Sequence, residues 1–407
     1  MSHCCYDFDT EINRRGTGAM KTDALSTFFG RSDIEGLWIA DMDFAVSPEI
    51  TAALARRFSH AIYGYTAVPE SYWESIIYWL DRRHDWKVKR EELIYVNGVV
   101  KGIGFLLNYF TRPADKILIQ PPVYHPFRML IEGNGRSCVT SPLRRTADGY
   151  EMDLDDLEEK FRTERPVAMI LCNPHNPVGI QWSREVLARV ASLARQYGVK
   201  VISDEIHGDL VLYGKPHIPF LEASPEAREV GIALGAPSKT FNIPGLSSSW
   251  IVISDPALRE GFFKWMECNE FSEPTFVATI ATETAYRHGE PWLEPATAYI
   301  EHNIAFVEEF CARHIPGIIP VRPQASFLVW LDCRDLCLSH DELVSLFVDN
   351  AHLALNDGAM FGAEGSGYMR FNVASPRHVV ERCLRSLAKA IATVCPDKQL
   401  SLELAGY

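Results

Sequence analysis

Between residues 93 and 254 the chain repeats one pattern: a short, almost wholly apolar run, then a longer amphipathic stretch. The apolar runs are residues 93–96, 116–120, 167–172, 199–203, 230–234 and 250–254. Strands that are apolar along their whole length need cover on both faces, as in a parallel sheet held between helices. The stretches between them have helical spacing. Residues 99–110 form one such run, and in 183–197 the side chains of Val186, Leu187, Val190, Leu193 and Ala194 fall on one face. The pattern predicts an α/β fold with a mostly parallel sheet sandwiched by helices.

After about Pro291 the character changes. A long helical run, 292–314, leads into a smaller mixed region with strands near 326–331 and 368–373. Gly289 and Pro291 punctuate the join. A chain of 407 residues is long for one core, so two domains are expected. The large one spans 50–290. The smaller, α+β one combines 1–49 with 291–407. The tail after Pro396 is expected to be weakly structured.

Charge narrows the partners. With 40 Lys+Arg against 53 Asp+Glu the net charge is −13, which argues against nucleic acid and against anionic membrane surfaces. No run of about 18 apolar residues suggests a membrane span. The opening Met1-Ser2-His3-Cys4-Cys5-Tyr6-Asp7 does not read as a signal peptide. The ten cysteines have no disulfide-framework spacing, so reduced thiols in a cytoplasmic protein are expected. Cys333, Cys337 and His340 look ligand-like but lack a fourth partner nearby, and no metal is expected.

In open parallel sheets ligands sit beyond the carboxyl ends of the strands, so the residues after each run matter most. Asn97-Gly98-Val99-Val100-Lys101-Gly102 follows the first and opens a helix, whose free N–H groups suit an anion. Asn173-Pro174-His175-Asn176-Pro177-Val178-Gly179 follows the run at 167–172; it reads equally as a rigid turn or as an amide offered to a ligand oxygen. Asp204-Glu205-Ile206-His207 follows the next run. A carboxylate there must find a partner, for which a protonated heterocyclic nitrogen would serve, or else cap a helix. Gly235-Ala236-Pro237-Ser238-Lys239 follows the run at 230–234. A lysine beyond a buried strand is uncommon, and desolvation would make it a nucleophile; a Ser-Lys hydrolase would use such a pair too. Taken together the four ends suit a ligand with an anionic group, a basic ring nitrogen, a phenolic oxygen and an aldehyde. Pyridoxal phosphate has all four.

Along 7–394 the sequence resembles the class I/II aminotransferase superfamily, and within it the cystathionine β-lyase-like C–S lyase branch. The segments that carry the resemblance are Trp38-Ile39-Ala40-Asp41-Met42-Asp43-Phe44, Tyr63-Gly64-Tyr65-Thr66, Pro121-Pro122-Val123-Tyr124-His125-Pro126-Phe127, residues 173–179, 203–210 and 238–246, and Met369-Arg370-Phe371-Asn372 with the five residues after it. The resemblance implies a pyridoxal-phosphate fold whose 50–290 domain binds the cofactor. It implies that Lys239 carries the cofactor as a Schiff base, that Asp204 pairs with the ring nitrogen, and that Asn176 and His207 lie near the phenolic oxygen. Tyr124 would stack on the ring. The N–H groups of Val99 and Val100, with Gly98 and the Ser238 hydroxyl, would hold the phosphate. Tyr65 would reach the phosphate of a neighbouring subunit, making a homodimer with shared active sites. Arg370 would grip the substrate α-carboxylate, with Trp38 and Asp41 among the substrate-binding residues on the N-terminal segment that lines the substrate side. One position departs from the pattern: many aminotransferases have Arg eight residues after the lysine, where this chain has Ser247. The expected reaction is β-elimination from an S-substituted cysteine such as cystathionine. An aminotransferase would share every cofactor contact, and a regulator on a degenerate fold is disfavoured by the intact Lys239, Asp204 and Arg370.

Overall fold

The computed structural model describes residues 6–147 and 149–395; the tail expected to be loose lies outside these. Seven strands form the larger sheet: β1 (Leu93–Val96), β2 (Lys116–Ile119), β3 (Ser137–Thr140), β4 (Ala168–Cys172), β5 (Lys200–Asp204), β6 (Gly231–Gly235) and β7 (Ser249–Ile253). Their spatial order is β1-β7-β6-β5-β4-β2-β3. All neighbours are parallel except β7, which runs antiparallel to both β1 and β6. Every residue of β1, β4, β6 and β7 is buried, as expected of strands covered on both faces. The edge strand β3, Ser-Cys-Val-Thr, is largely unburied and gives no apolar signal in the sequence.

The covering helices follow local chemistry. In α3 (Arg184–Tyr197) the Ser183 hydroxyl accepts from the Val186 N–H at 3.3 Å, and Gly198 closes the helix in the left-handed region. Its face of Leu187, Val190, Ala191, Leu193 and Ala194 is buried. The earlier helices α1 (Glu70–His84) and α2 (Val99–Phe110) flank β1 in the chain. Gly289 stands between α5 (Phe276–His288) and α6 (Glu290–His314) with no linker. A Cβ there would lie 2.3 Å from the Phe241 ring, so glycine lets the helix junction approach that ring.

A second sheet of four antiparallel strands, β8 (Ile319–Val321), β9 (Leu328–Asp332), β10 (Asn356–Asp357) and β11 (Tyr368–Asn372), has the order β8-β9-β11-β10. Helix α7 (Arg377–Val394) follows it. The amide of Asn303, fully buried on α6, donates to Val373 O at 2.8 Å and Ser375 O at 2.9 Å and accepts from the Arg377 side chain at 2.7 Å. This clasp fixes the chain where it leaves β11. We predict that Asn303→Ala, which strands those three groups, lowers unfolding stability by about 1–3 kcal/mol with an unchanged denaturant slope. Equal denaturation midpoints for variant and parent would refute the clasp.

Candidate active site

Register brings the strand ends level. Cys172 lies opposite Asp204, and Asp204 opposite Leu234, so β4, β5 and β6 end in one row. The antiparallel β7 sets a second pairing: Ser249 lies opposite Val96 and Trp250 opposite Gly235. The turns leaving β1 and β6 therefore emerge on either side of the start of β7. One opens α2 after Gly98, whose φ of +136° favours glycine. The other opens the short helix α4 (Pro237–Thr240), which carries Ser238 and Lys239.

Above this row three ionisable groups are withdrawn from water. Lys239 Nζ donates to Ala40 O at 2.5 Å. Burial, aided by the charge of Arg370, brings its pKa down to about 8, against the pull of Asp41 and Asp204. Asp204 is buried and, among the described residues, accepts only from the Ile206 N–H, at 3.1 Å; burial raises its carboxyl to about 7. Arg370, on β11, is 4% exposed. Its guanidinium donates to Asn176 Oδ1 (3.2 Å), Trp38 O (2.9 Å) and Asn356 Oδ1 (2.5 Å), and Nε has no partner. All three acceptors are neutral, and burial lowers its pKa to about 10. Among the described residues no ion pair joins Asp204, Lys239 or Arg370 to anything. A buried guanidinium held only by neutral oxygens is a seat for an anion, and a buried carboxyl without a cation is a seat for a protonated nitrogen.

The remaining groups surround these. Tyr124 N–H donates to Asn176 O at 3.0 Å. The Tyr124 hydroxyl is held protonated, chiefly by burial, with the charges of Arg370 and Asp204 acting in opposite senses. His207 is buried, its Nδ1 has no partner, and burial plus the charges of Lys239 and Arg370 keep it neutral, at about 3. The Ser238 hydroxyl makes no hydrogen bond among the described residues. Ser247 is exposed with φ +51°, and Ser248 accepts from Thr282 at 2.6 Å, so neither takes the place of an arginine in this chain. Tyr65 is fully exposed and makes no hydrogen bond among the described residues.

Two expectations change. The Trp38 indole does not line the site. It packs on Phe28 and Phe29 in a separate apolar cluster, and its N–H donates to Lys21 O at 3.1 Å; only its backbone carbonyl reaches Arg370. Asp41 offers no free carboxylate, because Arg14 (2.6 Å) and the buried Lys21 (3.6 Å) hold it. The 38–44 segment is irregular, and side chains satisfy its backbone. Asn372 donates to Ile39 O and Asp41 O, both at 2.7 Å. Asn242 bonds Met42 N, Met42 O and Phe44 O. Missed in the sequence were Asn356, directly across from Arg370 on a two-residue strand, and Phe361, whose ring centre lies 5.0 Å from the guanidinium. His125 was quoted but given no role; burial and Arg370 hold it neutral, at about 4. Cys333 is buried, Cys337 exposed, and His340 faces Asp357 at 3.2 Å.

The residues fit pyridoxal phosphate: a desolvated lysine, an unpaired buried carboxyl beside it, an amide and a neutral imidazole, and a glycine-opened helix start next to a free hydroxyl. The comparisons agree. The class I and II aminotransferase family model matches residues 32–387. The cystathionine β-lyase PatB of Bacillus subtilis (strain 168) is 38% identical, covering 95% of this chain and all of that one. A pyridoxal-phosphate-bound candidate aminotransferase from Clostridium difficile 630 superposes with TM-score 0.93 at 39% identity, over 95% of this chain and all of that one. Cystalysin from Treponema denticola, which contains pyridoxal 5'-phosphate, superposes with TM-score 0.92 at 30% identity, over 96% and 99%. The chain belongs to the class I and II aminotransferase family, and its cofactor is pyridoxal phosphate.

The charges around Lys239 predict its titration. In cofactor-free protein, competitive acetylation followed by mass spectrometry should give Lys239 a midpoint near 8. Asp204→Asn removes a charge that raises this value, so the midpoint falls; Arg370→Gln removes one that lowers it, so the midpoint rises. A lysine titrating like an exposed one in all three proteins would contradict the geometry.

Proposed function

We propose, with that family membership as premise, that the chain is a carbon–sulfur lyase. It would act on cystathionine or a related S-substituted cysteine and yield a thiol, pyruvate and ammonia. The observation that carries the substrate class is Arg370, a buried guanidinium with no anionic partner and one unused N–H edge. An α-carboxylate would complete it, and the fork geometry suits arginine better than lysine.

Pyridoxal phosphate, when bound, supplies the electron sink for a substrate that has lost its Cα proton. The chain's own residues supply the rest. Lys239 would hold the cofactor and, as a free amine, would accept the substrate's Cα proton; an amine near 8 is suited to taking and returning a proton close to neutral pH. Asp204 would hold the proton on the ring nitrogen, and that pairing would favour its carboxylate form and lower its own pKa. Asn176 would bridge two tasks: its Oδ1 accepts from Arg370 at 3.2 Å, and its amide, in the turn that follows β4, would serve the phenolic oxygen together with His207. Tyr124 would cover the ring, and its protonated hydroxyl would donate to the leaving sulfur. The N–H groups of Val99 and Val100, opened by Gly98, would take the phosphate with Ser238.

The proposed assembly rests on Tyr65. Its side chain stands free among exposed Ile62 and Tyr63, which supports a homodimer in which Tyr65 of a second copy completes the phosphate site. The division into 50–290 and 1–49 with 291–407 belongs to the same reading. It is supported by the larger sheet lying wholly in the first part and the four-stranded sheet wholly in the second. No helix among the described residues is long and apolar enough to cross a membrane. The free thiols among the described cysteines are what a reducing, cytoplasmic compartment would maintain.

The test is incubation with cystathionine and pyridoxal phosphate alone, measuring pyruvate and free thiol. Product without any 2-oxo acid is expected; turnover only after adding a 2-oxo acid would assign an aminotransferase instead. Arg370→Lys, which loses the fork, should lower kcat/KM by roughly tenfold or more, mostly through KM.

A further inference from the structure

One buried carboxylate outside the catalytic set touches the elements that carry it. Asp209 lies in the turn Gly208–Leu210, two residues after His207. Its side chain is 8% exposed. Oδ1 accepts from Trp79 Nε1 at 2.9 Å and sits 2.8 Å from His84 Nε2, both on α1. Oδ2 accepts from the Thr240 hydroxyl at 2.7 Å, and Thr240 is fully buried beside Lys239 on α4. A single group thus ties the His207 turn, the Lys239 helix and the helix that follows the Tyr65 segment.

The tie matters because α4 is only one turn long. Four residues cannot fix their own orientation by helical hydrogen bonds, and among the described residues Lys239 Nζ has one hydrogen-bond partner, Ala40 O. Without an anchor on α4 the lysine could shift along the row of strand ends. We infer that Asp209 is a positioning residue that sets the reach of Lys239 through Thr240. This rests on Lys239 being the cofactor lysine, though not on which amino acid is the substrate.

The link is cut most narrowly by Thr240→Val, which keeps shape and removes the donor. Lys239 faces Asp41, Asp204, Arg370 and His207; Asp209 faces His84, Trp79, Thr240 and Tyr286. None of these charges changes in the variant. Two readouts are compared. In cofactor-free protein, the acetylation midpoint of Lys239 should rise toward that of an ordinary lysine, because a loosened α4 lets water reach the amine. In holoenzyme, kcat for pyruvate release should fall by about tenfold or more with KM little changed, as expected for a misplaced reacting group. Thr240→Ser should restore both. Trp79→Phe, which cuts a link to α1 only, should lower thermal stability while leaving the Lys239 midpoint in place. If Thr240→Val does not fold, Asp209→Asn is measured in the same way. A parental midpoint and kcat in Thr240→Val overturn the inference, and so does failure of serine to rescue. If no substrate releases pyruvate, the acetylation readout still decides, so failure of the lyase reading is seen separately.

Discussion

Asp204 and Arg370 place ionisable groups out of water, Lys239 holds its amine in a half-buried, desolvated position, and among the described residues none is paired with an opposite charge. Left alone, such groups cost on the order of several kcal/mol each and shift their pKa to escape. All three shift in that sense here: the carboxyl up, the amine and the guanidinium down. The rest of the molecule is arranged around keeping them apart. The sheet register aligns the ends of β4, β5 and β6, α4 presents the lysine, and β11 of the second sheet brings the guanidinium over the top. A cofactor with a basic ring nitrogen and an aldehyde, together with a carboxylate substrate, supplies the missing partners. The site is therefore stabilised by binding more than by its own contacts.

The neutral groups matter for the same reason. Asn176, Asn356 and the carbonyl of Trp38 orient Arg370 without neutralising it. His207 and His125 are kept uncharged by burial and by the nearby cations. The acidic side chains that could have quenched Arg370 or Lys239 are engaged elsewhere. Asp41 and Asp43 are held by Arg14 and Lys21, and Glu205 by Ser203, His217 and the Phe220 N–H. The backbone of the 38–44 segment, pinned by Asn372 and Asn242, delivers the carbonyls of Trp38 and Ala40 to the site.

Much of this was legible in the sequence where a residue's role follows from its strand. Continuous apolar runs announced buried strands, and the residues just past them, Asn176, Asp204 and Lys239, are where the structure places the row. Helix limits with chemical markers, such as Ser183 and Gly198, were close. The reversal of β7 was not legible, because an apolar strand reads alike in both directions. The strand β3 lacked an apolar signal, and β10 has only two residues, so Asn356 had no pattern to betray it. Where the side chains of Trp38 and Asp41 point was not legible for a related reason. Position near a site does not set where a side chain points. An apolar cluster claimed the indole, and two cations claimed the carboxylate.

The account stands on Lys239 as the residue that bears the cofactor. Borohydride reduction of the pyridoxal-phosphate-loaded protein, followed by peptide mapping, tests this directly. The prediction is a single stable adduct on the peptide containing Ser238-Lys239-Thr240. A stable adduct at another lysine, with Lys239 unmodified, would contradict it.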